Sequence, residues 1–317
     1  MAYFTHGGDV MSKKALRSNA SLLLAAAIWG LAFVAQSDAM NHIGPFAFTA
    51  VRCFLGALAL LPVCIVTLYS FHKKNPGSDI KNTVLRSILI GAVCGVILFG
   101  ATITQQIGIK YTTAGKAGFI TALYIILVPV FNFVFFRNKV SINTGISVLL
   151  AGAGLYLLCV KEGFSIASGD IWVISCAFLF ALQIIVIDRY AGGTDSALLS
   201  LVQFLVVAVI SAIFTLIFEK KVTFAEMKAA WLPIVYTGVF SSAVAYTLQI
   251  VGQKSAENPT VAAILMSMES VFAAVSGWLI LHETFSKKEF AGVILMVLAV
   301  VISQLATGTK KKEKVPV

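Results

Sequence analysis

Glu269 is the residue whose type and place constrain this chain's chemistry most, since it stands about halfway along an apolar run, Thr260 to Leu281. In a helix crossing a bilayer, a carboxylate at that depth costs at least ~2.5 kcal/mol and has to face a cavity or a partner. It either touches a solute or carries a proton, or it is locked to a neighbouring helix by hydrogen bonds. Arg52 poses the same question about a third of the way into another apolar run. It is either an anchor that snorkels toward the surface or a counter-charge for a substrate carboxylate, with Asp38 as a possible internal partner. Asp188, at the end of its run, reads as interfacial. Six amides, Gln36, Gln105, Gln106, Gln183, Gln203 and Gln249, are unusual company for apolar helices. Each can glue helices together or line a polar site. Trp29, Tyr124 and Tyr246 lie inside apolar runs, where they can form a cavity wall or simply pack.

Such residues need elements to hold them. Ten apolar runs follow one another at 20–39, 46–69, 87–108, 117–136, 143–160, 171–188, 197–218, 232–251, 260–281 and 290–306. A helix rises ~1.5 Å per residue, so ~20 residues cross the ~30 Å hydrocarbon core. The chain is 59% apolar and only 12% charged, against ~25% charged in soluble domains. It is therefore expected to be an all-α integral membrane protein of ten transmembrane helices. The first run is too long for a cleavable signal, whose core is ~7–15 residues. Pro45 and Pro259 suit helix entrances, Asn41 to Gly44 a tight turn, and Gly192-Gly193 a helix end. Met11 opens a plausible cytoplasmic start of its own, which leaves residues 1–10 as an extension or an upstream start.

With the N-terminus inside, fifteen Lys and Arg residues fall on the cytoplasmic side and eight outside, Arg52 being within a span. This bias favours both termini in the cytoplasm. The net charge of +10 is spread over loops and tails beside the runs, so anionic lipid headgroups are the expected partner and nucleic acid is not. Cys53, Cys64, Cys94, Cys159 and Cys176 have no metal-ligand spacing and read as small buried thiols.

Five runs precede Lys161 and five follow it, so the second half must enter the membrane inverted, as in inverted-repeat transporters. A shift of 151 positions lays Trp29-Gly30 on Phe180-Ala181, Pro45 on Ser196 and Arg52 on Gln203. A second match sets Gly95 on Gly238 and Gln106 on Gln249, and small gaps then bring Pro129-Val-Phe onto Ser270-Val-Phe. The units expected are an N-terminal tail at 1–19, a first repeat at 20–160, a second at 161–306 and a basic cytoplasmic tail at 307–317.

Trp29-Gly-Leu-Ala-Phe33, Arg52, Pro129, Gln203, Met268-Glu-Ser-Val-Phe272 and Leu281-His-Glu283, in this order over about 20–306, resemble the drug/metabolite transporter superfamily, in the branch built of two EamA domains. The resemblance implies a central cavity bounded by the first, third, fourth, sixth, eighth and ninth helices, with the fifth and tenth as outer scaffold. It also implies a small organic substrate such as an amino acid or related metabolite, commonly exported. Two positions depart from the pattern. Asn138 replaces a common Glu, and Ser270 stands where a Pro usually follows the Glu, which removes the expected cause of a helix kink.

Bland readings cover the small residues. Gly91 to Gly95 is a GxxxG step and Ser267, Ser270, Ala274 and Gly277 recur along one run, both explained by close helix packing. Gly152-Ala-Gly154 lacks the rest of a dinucleotide fingerprint, Gly115-Lys116 the rest of a phosphate loop, and His282-Glu283 a second histidine. No GxSxG occurs. No cofactor or metal is expected, nor an enzyme. The expected function is secondary transport by alternating access, by a monomer or homodimer in a bacterial plasma membrane, with proton coupling through Glu269. The alternatives are a flippase for lipids or lipid-linked substrates and a membrane-embedded enzyme. The candidate cavity residues are Trp29, Gln36, Arg52, Gln105, Gln106, Tyr124, Gln183, Gln203, Tyr246, Gln249 and Glu269.

Overall fold

The structure is a computed structural model and describes residues 13–74, 80–112, 114–159, 168–219, 222–281 and 286–312. The expectations for residues 1–12, for His282-Glu283 and for the end of the basic tail lie outside these. Among the described residues every regular element is helical: α1 (Lys13–Ala39), α2 (Pro45–Lys74), α3 (Ile80–Tyr111), α4 (Ala114–Ala122), α5 (Tyr124–Phe136), α6 (Ile142–Cys159) and α7 (Ser168–Tyr190) in the first part of the chain. Then come α8 (Ser196–Phe218), α9 (Phe224–Ala229), α10 (Trp231–Val235), a π-helical segment (Tyr236–Ala245), α11 (Tyr246–Gln253), α12 (Pro259–Met266), α13 (Glu269–Leu281) and α14 (Lys287–Lys312).

Seven stretches are long and apolar enough to cross a bilayer: those at Lys14–Ala39, Pro45–Ser70, Ile80–Tyr111, Lys116–Phe136, Ser168–Tyr190, Ser196–Phe218 and Trp231–Gln253. Ile142–Leu158 and Pro259–Val275 are shorter apolar helices. Several helices outrun the apolar runs, because polar ends such as Ile80–Arg86 continue the helix beyond the hydrocarbon. The protein is thus an integral, multi-pass membrane protein, with Ile142, Leu149 and Leu216 among many apolar side chains turned outward, where lipid is an apolar neighbour.

The main helix contacts recur when the two halves of the chain are exchanged. α2 packs on α8 and α6 on α14. α3 lies along α7 as the π segment and α11 lie along α1, and α4 and α5 meet α7 as α12 and α13 meet α1. Small residues allow the closest of these approaches. Gly154 and Gly292 bring α6 and α14 together backbone to backbone, since a Cβ at Gly292 would lie 2.7 Å from the Gly154 carbonyl oxygen. Gly91 and Gly95 set α3 against α8, as the GxxxG spacing predicts.

Two helix interruptions occur at matching depths. α4 gives way to α5 at Leu123, and α12 to α13 at Ser267-Met268. Counted from element starts, Ala114, Tyr124 and Ile142 correspond to Pro259, Glu269 and Lys287. That register is four residues off the one that places Pro129 on Ser270, so the shared Val-Phe is coincidental. The missing proline at Ser270 does not abolish the break either. There the Ser267 hydroxyl donates to the Ile264 carbonyl (2.8 Å) and Ser270 N–H reaches only three residues back, to Ser267 O (3.2 Å). Such back-bonding by Ser loosens a helix.

The helix entrance expected at Pro259 is capped by Asn258, whose side chain accepts from Val261 N–H (2.9 Å), and Asp195 caps α8 similarly. The entrance of α2 is capped from the other half of the chain. The Glu219 carboxylate, just past α8, accepts from Phe46 N–H (2.8 Å) and Ala47 N–H (2.9 Å). The polar stretch around it holds the short helix α9 behind a Thr223–Glu226 capping box.

Candidate functional site

A cavity of about 50 Å³ lies where α1, α3, α7, the π segment and the two interrupted helices converge. At ~10–15 Å³ each, that is room for a few waters. The interruptions serve it directly, because Tyr124 opens α5 and Glu269 opens α13, so both side chains enter the space at the middle of the bundle. Tyr124 donates a long hydrogen bond to Glu269 Oε1 (3.4 Å). Glu269 is 4% exposed and has no basic group within 4 Å among the described residues.

Trp29, Gln36, Arg52, Gln105, Gln183, Tyr246 and Gln249 also line the cavity. Trp29 is held in place by an edge-on contact with Tyr246 (4.9 Å between centroids) and by donation of its indole N–H to the Ser241 carbonyl (3.2 Å). That carbonyl belongs to the π segment, whose wider turn turns backbone oxygens away from the ideal helical ladder. Gln105 donates to Thr121 Oγ1 (3.1 Å). Gln249 donates to Gln183 Oε1 (3.3 Å), and Gln183 in turn to Gln203 Oε1 (3.5 Å), so the amides form a ladder rather than isolated contacts.

Gln106 and Gln203 stand behind the wall. Gln106 is fully buried and donates to the Gln36 carbonyl (3.2 Å); Gln203 ends the ladder with its Nε2 unpaired. Consecutive helix residues point ~100° apart, so Gln105 and Gln106 cannot both face the cavity. Sequence reasoning did not single out Phe33, Thr121, Phe180, Ile184, Ser241 and Met266 as lining residues. Phe33 and Phe180 sat in segments already matched, whereas Ser241 contributes a carbonyl, which no side-chain pattern reveals.

Arg52 is 3% exposed. It stacks over the Phe48 ring (5.5 Å to the centroid), its Nε has no hydrogen-bond partner, and no carboxylate lies within 4 Å. Asp38 is not that partner: it is half exposed and sits 3.9 Å from His42. Asp188 is partly buried at the end of α7. The clearest buried ion pair is elsewhere, between Lys116 at the start of α4 and Asp170 at the start of α7, with Thr112 donating to the same carboxylate (2.9 Å). Among the described residues no group of three or more His, Cys, Asp or Glu residues could hold a metal, and Cys53, Cys64, Cys94 and Cys176 are buried free thiols.

A bundle of apolar helices around a small polar cavity at its middle is the architecture of a membrane carrier. The profile of the EamA-like transporter family matches residues 17–160 and again 167–305, and the chain belongs to that family, within the drug/metabolite transporter superfamily. An uncharacterized transporter of Archaeoglobus fulgidus is 30% identical over 96% of this chain and 91% of its own length. The uncharacterized transporter YetK of Bacillus subtilis is 24% identical over 99% and 93%. A WAT1-related chloroplastic protein of Arabidopsis thaliana is 23% identical over 88% of this chain and 67% of its own. A crystal structure superposes with a TM-score of 0.74, covering 91% of this chain and 96% of that one; at 19% identity it speaks for the fold alone. The family and the names of these relatives indicate a membrane transporter rather than an enzyme.

Proposed function

We propose that the protein is a secondary transporter of ten membrane-spanning helices, two inverted five-helix repeats with both termini in the cytoplasm of a bacterial plasma membrane. It exports a small organic metabolite of the amino-acid class by alternating access. The observation that carries this reading is the buried cavity at the meeting point of both halves, where two helices are interrupted and aromatic, amide and charged groups converge. A solute of amino-acid size needs more than about 50 Å³, so its passage requires the walls to separate. The helix contacts that recur between the halves suit two related units that can rock against each other.

Glu269 is the proton carrier of this scheme. Tyr124 faces it directly, with Tyr246, Cys176 and, through Tyr246, Arg52 in electrostatic reach. Purified protein in liposomes should show saturable counterflow of one solute, accelerated by a proton gradient. Glu269→Gln should abolish the gradient's effect on whatever counterflow the variant retains. A variant that inserts correctly and keeps its gradient response would remove Glu269 from the coupling. Movement of labelled lipid in place of a soluble solute would favour a flippase.

A further inference from the structure

Arg52 and Glu269 are a buried base and a buried acid on one cavity, and neither has an ion-pair partner within 4 Å among the described residues. Tyr246 is within electrostatic reach of both. A cation so enclosed is held at a cost that a single aromatic face offsets only in part.

The other half of the chain explains why Arg52 is left open. At a shift of 151 positions Arg52 corresponds to Gln203, and α2 and α8 start at corresponding residues, Pro45 and Ser196. The Gln203 Oε1 accepts from Gln183 on α7 (3.5 Å). The residue that corresponds to Gln183 is Ala32, whose methyl group offers no acceptor. The position that holds an amide in one half thus holds a methyl group in the other, where the Arg52 Nε has no hydrogen-bond partner. The charged recognition group exists in one repeat only, so the site is directional although its frame is two-fold.

We propose that Arg52 and Glu269 form a two-ended recognition site, in which Arg52 receives the carboxylate and Glu269 the ammonium group of a zwitterionic solute lying in one orientation. This rests on the transport reading above. A guanidinium takes a carboxylate through paired, charge-assisted hydrogen bonds. One positive and one negative wall group match a solute with one charge of each sign. A dianion would meet Glu269, and a simple amine would leave Arg52 uncompensated. Trp29, Phe33 and Phe180 provide an apolar surface for the solute's side chain.

The test uses full-length protein in liposomes and counterflow of labelled phenylalanine, leucine and threonine. The competitors are the matching free amino acids, their methyl esters, which lack the negative charge, and their N-acetyl derivatives, which lack the positive one. Both modified series should compete about 10- to 100-fold more weakly than the parent, the range of one lost charge-assisted hydrogen bond. Arg52→Gln should raise the half-saturation for the parent by a similar factor while leaving the ester unchanged, and Arg52→Lys should recover part of the loss. Should Arg52→Gln fail to insert, the analogue series on the wild-type protein decides alone. Esters that compete as well as the parent would overturn the proposal. So would an Arg52→Gln variant that loses parent and ester equally, the mark of a structural role. Counterflow of uncharged solutes only would refute the two-ended site and leave the transport reading intact; absence of counterflow for any solute, sugars and nucleosides included, would end both.

Discussion

Gly30 is the position where the packing beside the cavity can be tested most sharply. A Cβ there would lie 2.6 Å from the Glu269 carbonyl oxygen, 2.8 Å from Ala273 N and 2.9 Å from Phe272 Cβ. The first two are backbone atoms, so no rotamer change relieves the contact. To move from 2.6 Å to the 3.4 Å at which contact becomes ordinary, α1 and α13 must part by about 0.8 Å. Overpacking of this kind costs ~1–3 kcal/mol, against a gain of ~0.5–1 kcal/mol from replacing a helical glycine by alanine. Gly145 in α6 is the matched control, with nothing within 4 Å of its added Cβ, so Gly145→Ala keeps the gain without the cost. In detergent, Gly30→Ala should melt below wild type and Gly145→Ala at or above it. Because the strained contact adjoins Glu269, Gly30→Ala should also alter the counterflow rate. If both variants melt alike, α1 and α13 are not packed as described.

Two further perturbations probe the ends of the bundle. Glu219→Ala removes two charge-assisted bonds from the entrance of α2 and should cost about 1–2 kcal/mol, with Glu219→Gln milder; an unchanged melting curve for the alanine variant would contradict the cap. The Glu226 carboxyl is held below its ordinary range by backbone and side-chain hydrogen bonds from Thr223. Its contribution to α9 is therefore complete above its unfolded value and disappears as pH falls through the lower folded one. Amide exchange of α9, corrected for intrinsic rates, should lose protection on acidification, and Thr223→Ala should flatten that dependence; equal protection at neutral and acid pH would refute the cap's role.

The helices were legible because burial in lipid is written as composition: a stretch such as Ser196–Phe218 has no other stable home. Glu269, Arg52 and the amides stood out for the same reason, as polar exceptions that the bilayer penalises. What was not legible depends on neighbours distant in the chain. Glu219 looks like an ordinary loop carboxylate until α2 is placed beside it, and Lys116 like a headgroup cation until α7 brings Asp170. The break before Glu269 has no proline to announce it, since serine back-bonding does the work there, and the π segment is a choice among hydrogen-bond registers that side-chain type does not encode. Gln106 was drawn toward the cavity by its repeat partner, but Gln105 occupies the face that points inward.

The two-fold frame and the one-sided chemistry answer different requirements of a carrier. Under the alternating access proposed above, related halves let a single set of helix contacts exist in two mirrored arrangements, for which apolar surfaces and glycines such as Gly154 and Gly292 suffice. A strictly two-fold site, however, would hold an asymmetric solute equally well in either direction. Arg52 against Gln203, Ala32 against Gln183 and the Lys116–Asp170 pair, whose counterparts in the other half are Val261 and Asn19, are the places where the repeats have parted chemically. Arg52 and Gln183 line the cavity, Gln203 stands behind its wall, and the ion pair lies at the end of the bundle where α4 and α7 begin. At three of these positions, Arg52, Lys116 and Asp170, a charged group in one half corresponds to a neutral one in the other, which gives the cavity and the bundle end a chemical direction that the shared helix packing lacks.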